Sequence, residues 1–97
     1  MMKELVRVFL EDTPRLVKEL TEAVEKRDHP KIERAAHTLK GAVANFGAKR
    51  ARELALELET RGRERDLELA DCVLAELRKE LGFVETELSA VIMEDAA

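Results

Sequence analysis

The sequence predicts an all-α protein, an antiparallel up-and-down four-helix bundle with a short additional helix at the N-terminus. The 97 residues are rich in Ala, Glu, Lys, Leu and Arg, which favour helices, and include only two Pro and four Gly. Apolar residues recur at intervals of three and four, and the segments between the periodic stretches are short. Short connections make consecutive helices antiparallel neighbours. A chain of this length forms one domain, which we assign to residues 1–97.

Two helices are predicted in the first quarter of the chain. A narrow apolar stripe predicts a short helix over Leu5–Leu10. Thr13 is a good N-cap, and Pro14 suits the first turn of a helix, where its missing N–H costs nothing. We therefore expect a break at this point and a second helix that reaches about Lys26.

Three further helices follow. Pro30 begins the third helix, which we expect over residues 30–45, with Gly47 in the left-handed conformation after it. The fourth is expected over 48–60, before a loop at Gly62, and Asp66 is the candidate N-cap of the last helix. The apolar seam of this last helix keeps a four-three spacing through Ala70, Leu74, Leu77, Leu81, Val84, Leu88 and Val91.

Composition argues against several classes of function. The net charge of −4 disfavours nucleic-acid binding, because phosphate contacts need a basic surface. No apolar run is long enough to span a membrane, and no signal peptide is evident. The single Cys excludes an internal disulfide framework, and one Cys with two His offers no paired spacing for a metal site. We expect a cytoplasmic monomer that binds neither nucleic acid nor membrane.

One face of the third helix carries unusual residues. The apolar residues of this helix cluster on the side opposite His37, which therefore points away from the core. Beside His37 lie Lys40, Gly41 and Ala44, and a glycine inside a helix costs roughly 1 kcal/mol relative to alanine. Either a neighbouring helix or another protein must approach this face closely, and the spacing alone leaves both options open. The other histidine, His29, is interpreted as a surface or capping residue.

The segment from His37 to Gly47 resembles the signature of histidine phosphotransfer (HPt) domains. That pattern is a His, any residue, Leu or Ile, Lys, Gly, small residues and a closing Gly, and its spacing is complete in His37-Thr38-Leu39-Lys40-Gly41 and the residues up to Gly47. The resemblance covers most of the chain. Such domains are four-helix bundles, which agrees with the fold expected from periodicity.

The resemblance implies a role for four residues. His37 would be phosphorylated on an imidazole nitrogen, which is a nucleophile near pH 7 in its neutral form. Lys40 would reach the phosphoryl oxygens, and Gly41 would leave room for the active site of the partner. Glu59, twenty-two residues after His37, would hold the other ring nitrogen, as the Asp of a Ser-His-Asp triad holds its His.

A second set of residues is predicted to contact the partner. Lys49, Arg50 and Arg52 open the fourth helix, where cations oppose the helix dipole and so are not explained by local stability. The receiver domains of response regulators carry clustered carboxylates and Mg²⁺, so this basic rim would steer docking together with Ala44. An ordinary solvated run of charges explains the three cations equally well.

The implied function is phosphorelay between receiver domains of response regulators. The chain would accept a phosphoryl group on His37 from the aspartyl phosphate of one receiver and pass it to the Asp of another, with a hybrid or separate histidine kinase upstream. It would need no cofactor of its own, since the receiver supplies Mg²⁺, and it would have no autokinase activity. One alternative is the phosphotransfer module of a chemotaxis-type kinase, phosphorylated directly from ATP on a separate domain. Another is a non-catalytic helical adaptor. The sequence leaves open whether the chain is free-standing or part of a larger sensor kinase.

Overall fold

The computed structural model describes residues 2–96, with side chains from residue 4 to residue 91. Within this range the chain forms four α-helices. They are α1 (Met2–Glu25), α2 (His29–Ala44), α3 (Lys49–Glu64) and α4 (Ala70–Ala96). The all-α class and the four-helix architecture predicted from the periodicity are confirmed.

The helices form an up-and-down bundle. Each helix packs against its neighbours in the chain, and α4 returns to pack against α1. Side-chain pairs show that α2 and α3 are antiparallel, since Glu33 pairs with Arg63 and the later residue His37 pairs with the earlier residue Glu59. Every helix contributes to a single core, whose largest fully buried apolar side chains are Leu20, Ile32, Leu39, Leu58, Leu77 and Leu81.

The expectation of a separate, short N-terminal helix is wrong. Helix α1 runs without a break from Met2 to Glu25, with Pro14 inside it. Thr13 is not an N-cap: its side chain is fully buried and its hydroxyl has no hydrogen-bond partner among the described residues. Pro14 lies on the exposed side of α1, where its ring meets solvent instead of the core. Burial of the apolar face of α1 therefore outweighs the helix-breaking tendency of this proline.

The ends of the middle helices agree in part with expectation. Asp28 caps α2, its side chain accepting a hydrogen bond from the Lys31 N–H at 3.3 Å. Gly47 adopts the left-handed conformation after α2, with φ +66°, as predicted. The loop expected at Gly62 is wrong, because α3 continues through this buried glycine to Glu64 and ends at Arg65 in the left-handed conformation.

The last helix begins later than the sequence suggested. Asp66 accepts a hydrogen bond from the Glu68 N–H at 3.3 Å, so it caps a turn and not α4, which begins at Ala70. The predicted seam is buried in its first half and only partly buried at Val84 and Leu88, while Val91 is exposed. None of the described helices combines the length and apolar character needed to cross a membrane.

Candidate functional site

His37 lies at the centre of the outward face of α2. Its side chain is 66% exposed, whereas the apolar residues on the opposite face of the helix, including Ile32 and Leu39, are fully buried. The ring borders an open groove whose lining also includes Pro30, Arg34 and Glu59. The orientation of His37 away from the core, predicted from the helical wheel, is confirmed.

Glu59 of α3 holds one nitrogen of this imidazole. Its Oε2 lies 2.9 Å from His37 Nδ1, and the Glu59 side chain is only 5% exposed. A carboxylate only accepts hydrogen bonds, so Nδ1 carries a proton, and in the neutral imidazole the lone pair is therefore on Nε2. Within the described part of the chain Nε2 has no hydrogen-bond partner. The antiparallel packing of α2 and α3 thus leaves an exposed ring with its reactive nitrogen free.

Lys40 binds the other oxygen of the same carboxylate. Its Nζ donates to Glu59 Oε1 at 2.6 Å, and its side chain is 24% exposed. Burial acts to raise the pKa of Glu59, but the hydrogen bonds from Lys40 and His37, together with their charges, outweigh it and hold the pKa below its usual value. The carboxylate is therefore an anion at neutral pH, next to the imidazole.

Two residues of the site were missed by the sequence analysis. Arg63 donates through its terminal nitrogen to Glu59 Oε2 at 3.3 Å and through Nε to Glu33 Oε2 at 2.9 Å. The Glu33 carboxylate raises the pKa of the Arg63 guanidinium. The four-residue spacing from Glu59 to Arg63 on one helix was visible in the sequence, but it is typical of many surface pairs. Only the register of α2 against α3 brings Glu33 to the same guanidinium.

Gly41 and Ala44 form an open surface beside His37. Both residues are exposed, and a Cβ atom added at Gly41 would have no neighbouring atom within 4 Å outside its own helix turn. The close approach of a neighbouring helix, which the spacing left open, is therefore not the reason for this glycine. The absence of side-chain bulk leaves the imidazole accessible from the solvent side.

The three cations at the start of α3 lie about two to three helical turns before Glu59 in the chain. Arg52 is seven residues from Glu59, which corresponds to about 10 Å along a helix. Arg50 faces α4, where its guanidinium donates to Glu76 at 2.7 Å. This ion pair gives Arg50 an intramolecular partner that the sequence argument did not anticipate. A contact of Lys49, Arg50 or Arg52 with a receiver stays a prediction.

Comparison with known proteins identifies the family. Residues 4–92 match the Hpt domain. The chain belongs to the Hpt domain family. The structure is similar to the crystal structure of histidine-containing phosphotransfer protein B (HptB) from Pseudomonas aeruginosa PAO1, with a TM-score of 0.90 and 23% sequence identity. The alignment covers 95% of this chain and 80% of that one. A comparison with curated proteins finds no significant match.

Family membership gives the general function. This Hpt domain is a histidine phosphotransfer module of two-component phosphorelay signalling, and Hpt domains interact with kinases and response regulators. The fold expected from the resemblance is confirmed by the likeness to HptB. The roles of the individual residues are not decided by membership and are argued below from their geometry.

Proposed function

We propose that His37 Nε2 accepts the phosphoryl group and that Glu59, Lys40 and Gly41 serve the transfer. The observation that carries this proposal is an exposed histidine whose Nδ1 lies 2.9 Å from a buried carboxylate. That hydrogen bond fixes the ring and its tautomer, so the lone pair on Nε2 points to solvent.

The transfer step follows from this arrangement. Nε2 attacks the phosphorus of an aspartyl phosphate, a new N–P bond forms, and the bond to the Asp oxygen breaks as the carboxylate leaves with the electron pair. The ring keeps its Nδ1 proton and becomes positively charged. The Glu59 anion, held against Nδ1, stabilises that charge. Reversal of these steps against the Asp of a second receiver passes the phosphoryl group on and returns the ring to its neutral form.

Lys40 and Gly41 have complementary parts in the same step. Lys40 lies one helical turn from His37 and carries an ammonium group that can donate to phosphoryl oxygens. Gly41 leaves open space beside the ring for the receiver, whose carboxylates hold the Mg²⁺ that balances phosphoryl charge. The chain thus contributes the nucleophile, a cation and an unobstructed surface, and needs no metal of its own.

Two phosphoryl donors are compatible with this site. A receiver domain of a hybrid or separate kinase fits the phosphorelay role of Hpt domains. The residue that contacts His37 is a glutamate and not a glutamine, which favours a second option. In that option, ATP bound to a separate kinase domain of the chemotaxis type phosphorylates His37 directly.

Replacing the proposed acceptor tests the assignment. Incubation with a phosphorylated receiver should label the protein with an acid-labile, alkali-stable phosphate, and His37→Gln should abolish the label without loss of helicity. His29→Gln is the matched control, since His29 opens α2 eight residues away, and it should be labelled normally. Labelling of His37→Gln at the wild-type level would overturn the proposal.

Two further measurements separate the alternatives. A non-catalytic adaptor would keep receiver binding and signalling in His37→Gln, whereas a phosphotransfer intermediate keeps binding but loses signalling. Incubation of the protein with ATP and Mg²⁺ alone should give no label. Label that appears only after addition of a kinase ATP-binding domain, and not from a phosphorylated receiver, would support the chemotaxis-type option.

A further inference from the structure

The Glu59 carboxylate is shared among three partners. Lys40 occupies Oε1, while His37 and Arg63 both approach Oε2. A side chain that is only 5% exposed has little access to water, so its charge depends on these partners. Lys40 and Arg63 are the two permanent cations of the set, and they contact different oxygens.

Phosphorylation of His37 would give Lys40 a new anionic partner. A phosphoryl group on Nε2 adds about two negative charges within reach of the same helix turn that carries Lys40. The ammonium of Lys40 is drawn toward the phosphoryl oxygens and away from Glu59 Oε1, because it is a mobile point charge on a flexible stem. Glu59 Oε1 would then lose its donor, and the buried carboxylate would be held only by the Nδ1–H of the ring and by Arg63.

Arg63 is positioned to keep its contact with Glu59 when Lys40 moves away. Its guanidinium lies on the other side of the carboxylate from Lys40, and Glu33 holds it there through Nε at 2.9 Å. Glu33 precedes His37 by one turn of α2, whereas Lys40 follows His37 by one turn. The rigid, forked guanidinium can keep one donor on each carboxylate, which a lysine could not do with the same geometry.

We propose that Arg63 is a positioning residue that keeps Glu59 hydrogen-bonded to His37 Nδ1 when Lys40 turns to the phosphoryl group. Glu33 acts through Arg63 by fixing the guanidinium. Lys40 and Arg63 thus share the carboxylate in the resting protein, and Arg63 alone retains it in the phosphorylated protein. This inference rests on the proposed phosphorylation of His37.

The test compares one variant in two states. ¹⁵N-labelled protein is treated with phosphoramidate, a small-molecule donor that transfers its phosphoryl group to Nε2 with release of ammonia and needs no partner domain. The Nδ1–H signal of His37 is then followed by NMR before and after phosphorylation. Arg63→Ala should leave this signal unchanged in the resting protein. In the phosphorylated protein its exchange with water should be about tenfold faster, as expected for loss of a hydrogen bond to a charged group.

The other variants make the outcome specific. Arg63→Lys should retain part of the protection, and Glu33→Gln should show a smaller version of the Arg63→Ala effect. Arg78→Ala, on the exposed side of α4, is the control and should match the wild type in both states. If Arg63 has a purely structural role, Arg63→Ala will disturb the Nδ1–H signal equally in both states. If Arg63 has no role, the signal of this variant will match that of the wild type in both states. Either result would overturn the inference.

Failure of the proposed function gives a different result. If phosphoramidate does not label His37 in the wild type, the assignment of the acceptor is wrong. If His37 is labelled and the Arg63→Ala signal behaves as the wild type in the phosphorylated state, only the role of Arg63 is wrong.

Discussion

Glu59 is the residue on which the arrangement of the site depends. It is buried on α3, yet it carries a charge that contacts Lys40 and His37 of α2. A buried carboxylate is tolerated only when its hydrogen-bonding capacity is satisfied, and here both oxygens have donors. The same contacts fix the ring orientation of His37, so one side chain joins the stability of the helix pair to the reactivity of the imidazole.

The lowered pKa of Glu59 predicts a defined pH dependence of stability. Its pKa lies below the ordinary value in the folded protein, so the unfolded chain binds the proton more readily. The stabilising contribution of Glu59 is complete above the ordinary glutamate pKa and is lost as the pH falls through the lower folded value. Glu59→Gln should therefore flatten the loss of unfolding free energy on the acid side, measured by urea titration between neutral pH and pH of about 3.

Glu85 provides a control, because its pKa is shifted in the opposite direction to that of Glu59. Burial raises the pKa of this α4 carboxyl, so folding favours its protonated form, and its contribution to stability falls as the pH rises through that value. Glu85→Gln should therefore gain stability relative to the wild type toward neutral pH. If the free energy of unfolding of Glu59→Gln falls at acidic pH as steeply as that of the wild type, the contacts of Glu59 with Lys40 and His37 contribute nothing to folding.

Gly41 gives the sharpest separation of function from stability at the residue scale. Gly41→Gln places a long side chain beside His37, on a surface where an added Cβ meets nothing. The fold and melting temperature should stay near those of the wild type, while phosphoryl transfer to a receiver slows by about 100-fold, because small misplacements of reacting groups have such effects. Quench-flow transfer kinetics alongside a thermal melt measure both quantities.

Gly41→Ala is the matched control for bulk. It should raise stability by up to roughly 1 kcal/mol through helix propensity and leave the transfer rate largely unchanged. Transfer at the wild-type rate in Gly41→Gln would show that the receiver does not approach over this face. Unfolding of Gly41→Gln would contradict the open surface on which the prediction is based.

At the scale of the helices, the sequence predicted the periodic faces well and the boundaries less well. Apolar spacing located all four helices, because burial of a continuous face determines where a helix forms. Pro14 and Gly62 were interpreted as boundaries and instead lie inside helices. Both are local signals, and tertiary contacts overrule them: α1 keeps its buried face across Pro14, and Gly62 lets α3 approach α2.

The network around Glu59 also contains contacts that the sequence could not predict. The partnership of Glu59 with His37 was expected from the family resemblance, and the structure places the two side chains together. Arg63 and Glu33 were not expected, since nothing in the linear sequence fixes which residues of two antiparallel helices face each other. The register of α2 against α3, set by packing, determines that contact.

Gly62 is predicted to set the spacing of α2 and α3. A Cβ atom at this position would lie 2.8 Å from the Glu33 backbone nitrogen and 3.0 Å from the His29 carbonyl oxygen, and neither backbone atom can move alone. Gly62→Ala should therefore lower the free energy of unfolding by about 1–3 kcal/mol, the usual effect of overpacking. It should also weaken the His37–Glu59 hydrogen bond, since the two helices are pushed apart. Urea unfolding and the Nδ1–H signal of His37 report the two effects.

Gly82 of α4 is the matched control for this substitution. It is also a helical glycine, but a Cβ atom there meets nothing within 4 Å. Gly82→Ala should increase stability by roughly 0.5–1 kcal/mol, because only the conformational freedom of glycine is removed. Destabilisation of both variants to the same extent would contradict the close approach of α2 and α3 at Gly62.

At the scale of the whole molecule, the reactive face and the core are separate. The polar network joins α2 and α3 through the exposed His37 and the buried Glu59, whereas the largest core side chains, such as Leu39 and Leu77, are fully buried between the helices. A close-packed interior does not deform continuously, so a charge added at the surface is accommodated by nearby side chains. We therefore expect the proposed phosphorylation of His37 to change the chemistry of one surface without repacking the bundle, so that the phosphoryl group itself is the signal passed to a partner.

This separation predicts a local response to phosphorylation. After treatment of ¹⁵N-labelled protein with phosphoramidate, backbone amide shifts should change around His37 and Lys40 on α2 and around Glu59 and Arg63 on α3. Amides of α4 that face α1 should keep their shifts, since they contact the site only through the core. The His37→Gln variant, treated in the same way, controls for modification elsewhere. Shift changes that extend through α1 and α4 in the wild type but not in this variant would show instead that the bundle repacks and that shape, as well as phosphate, carries the signal.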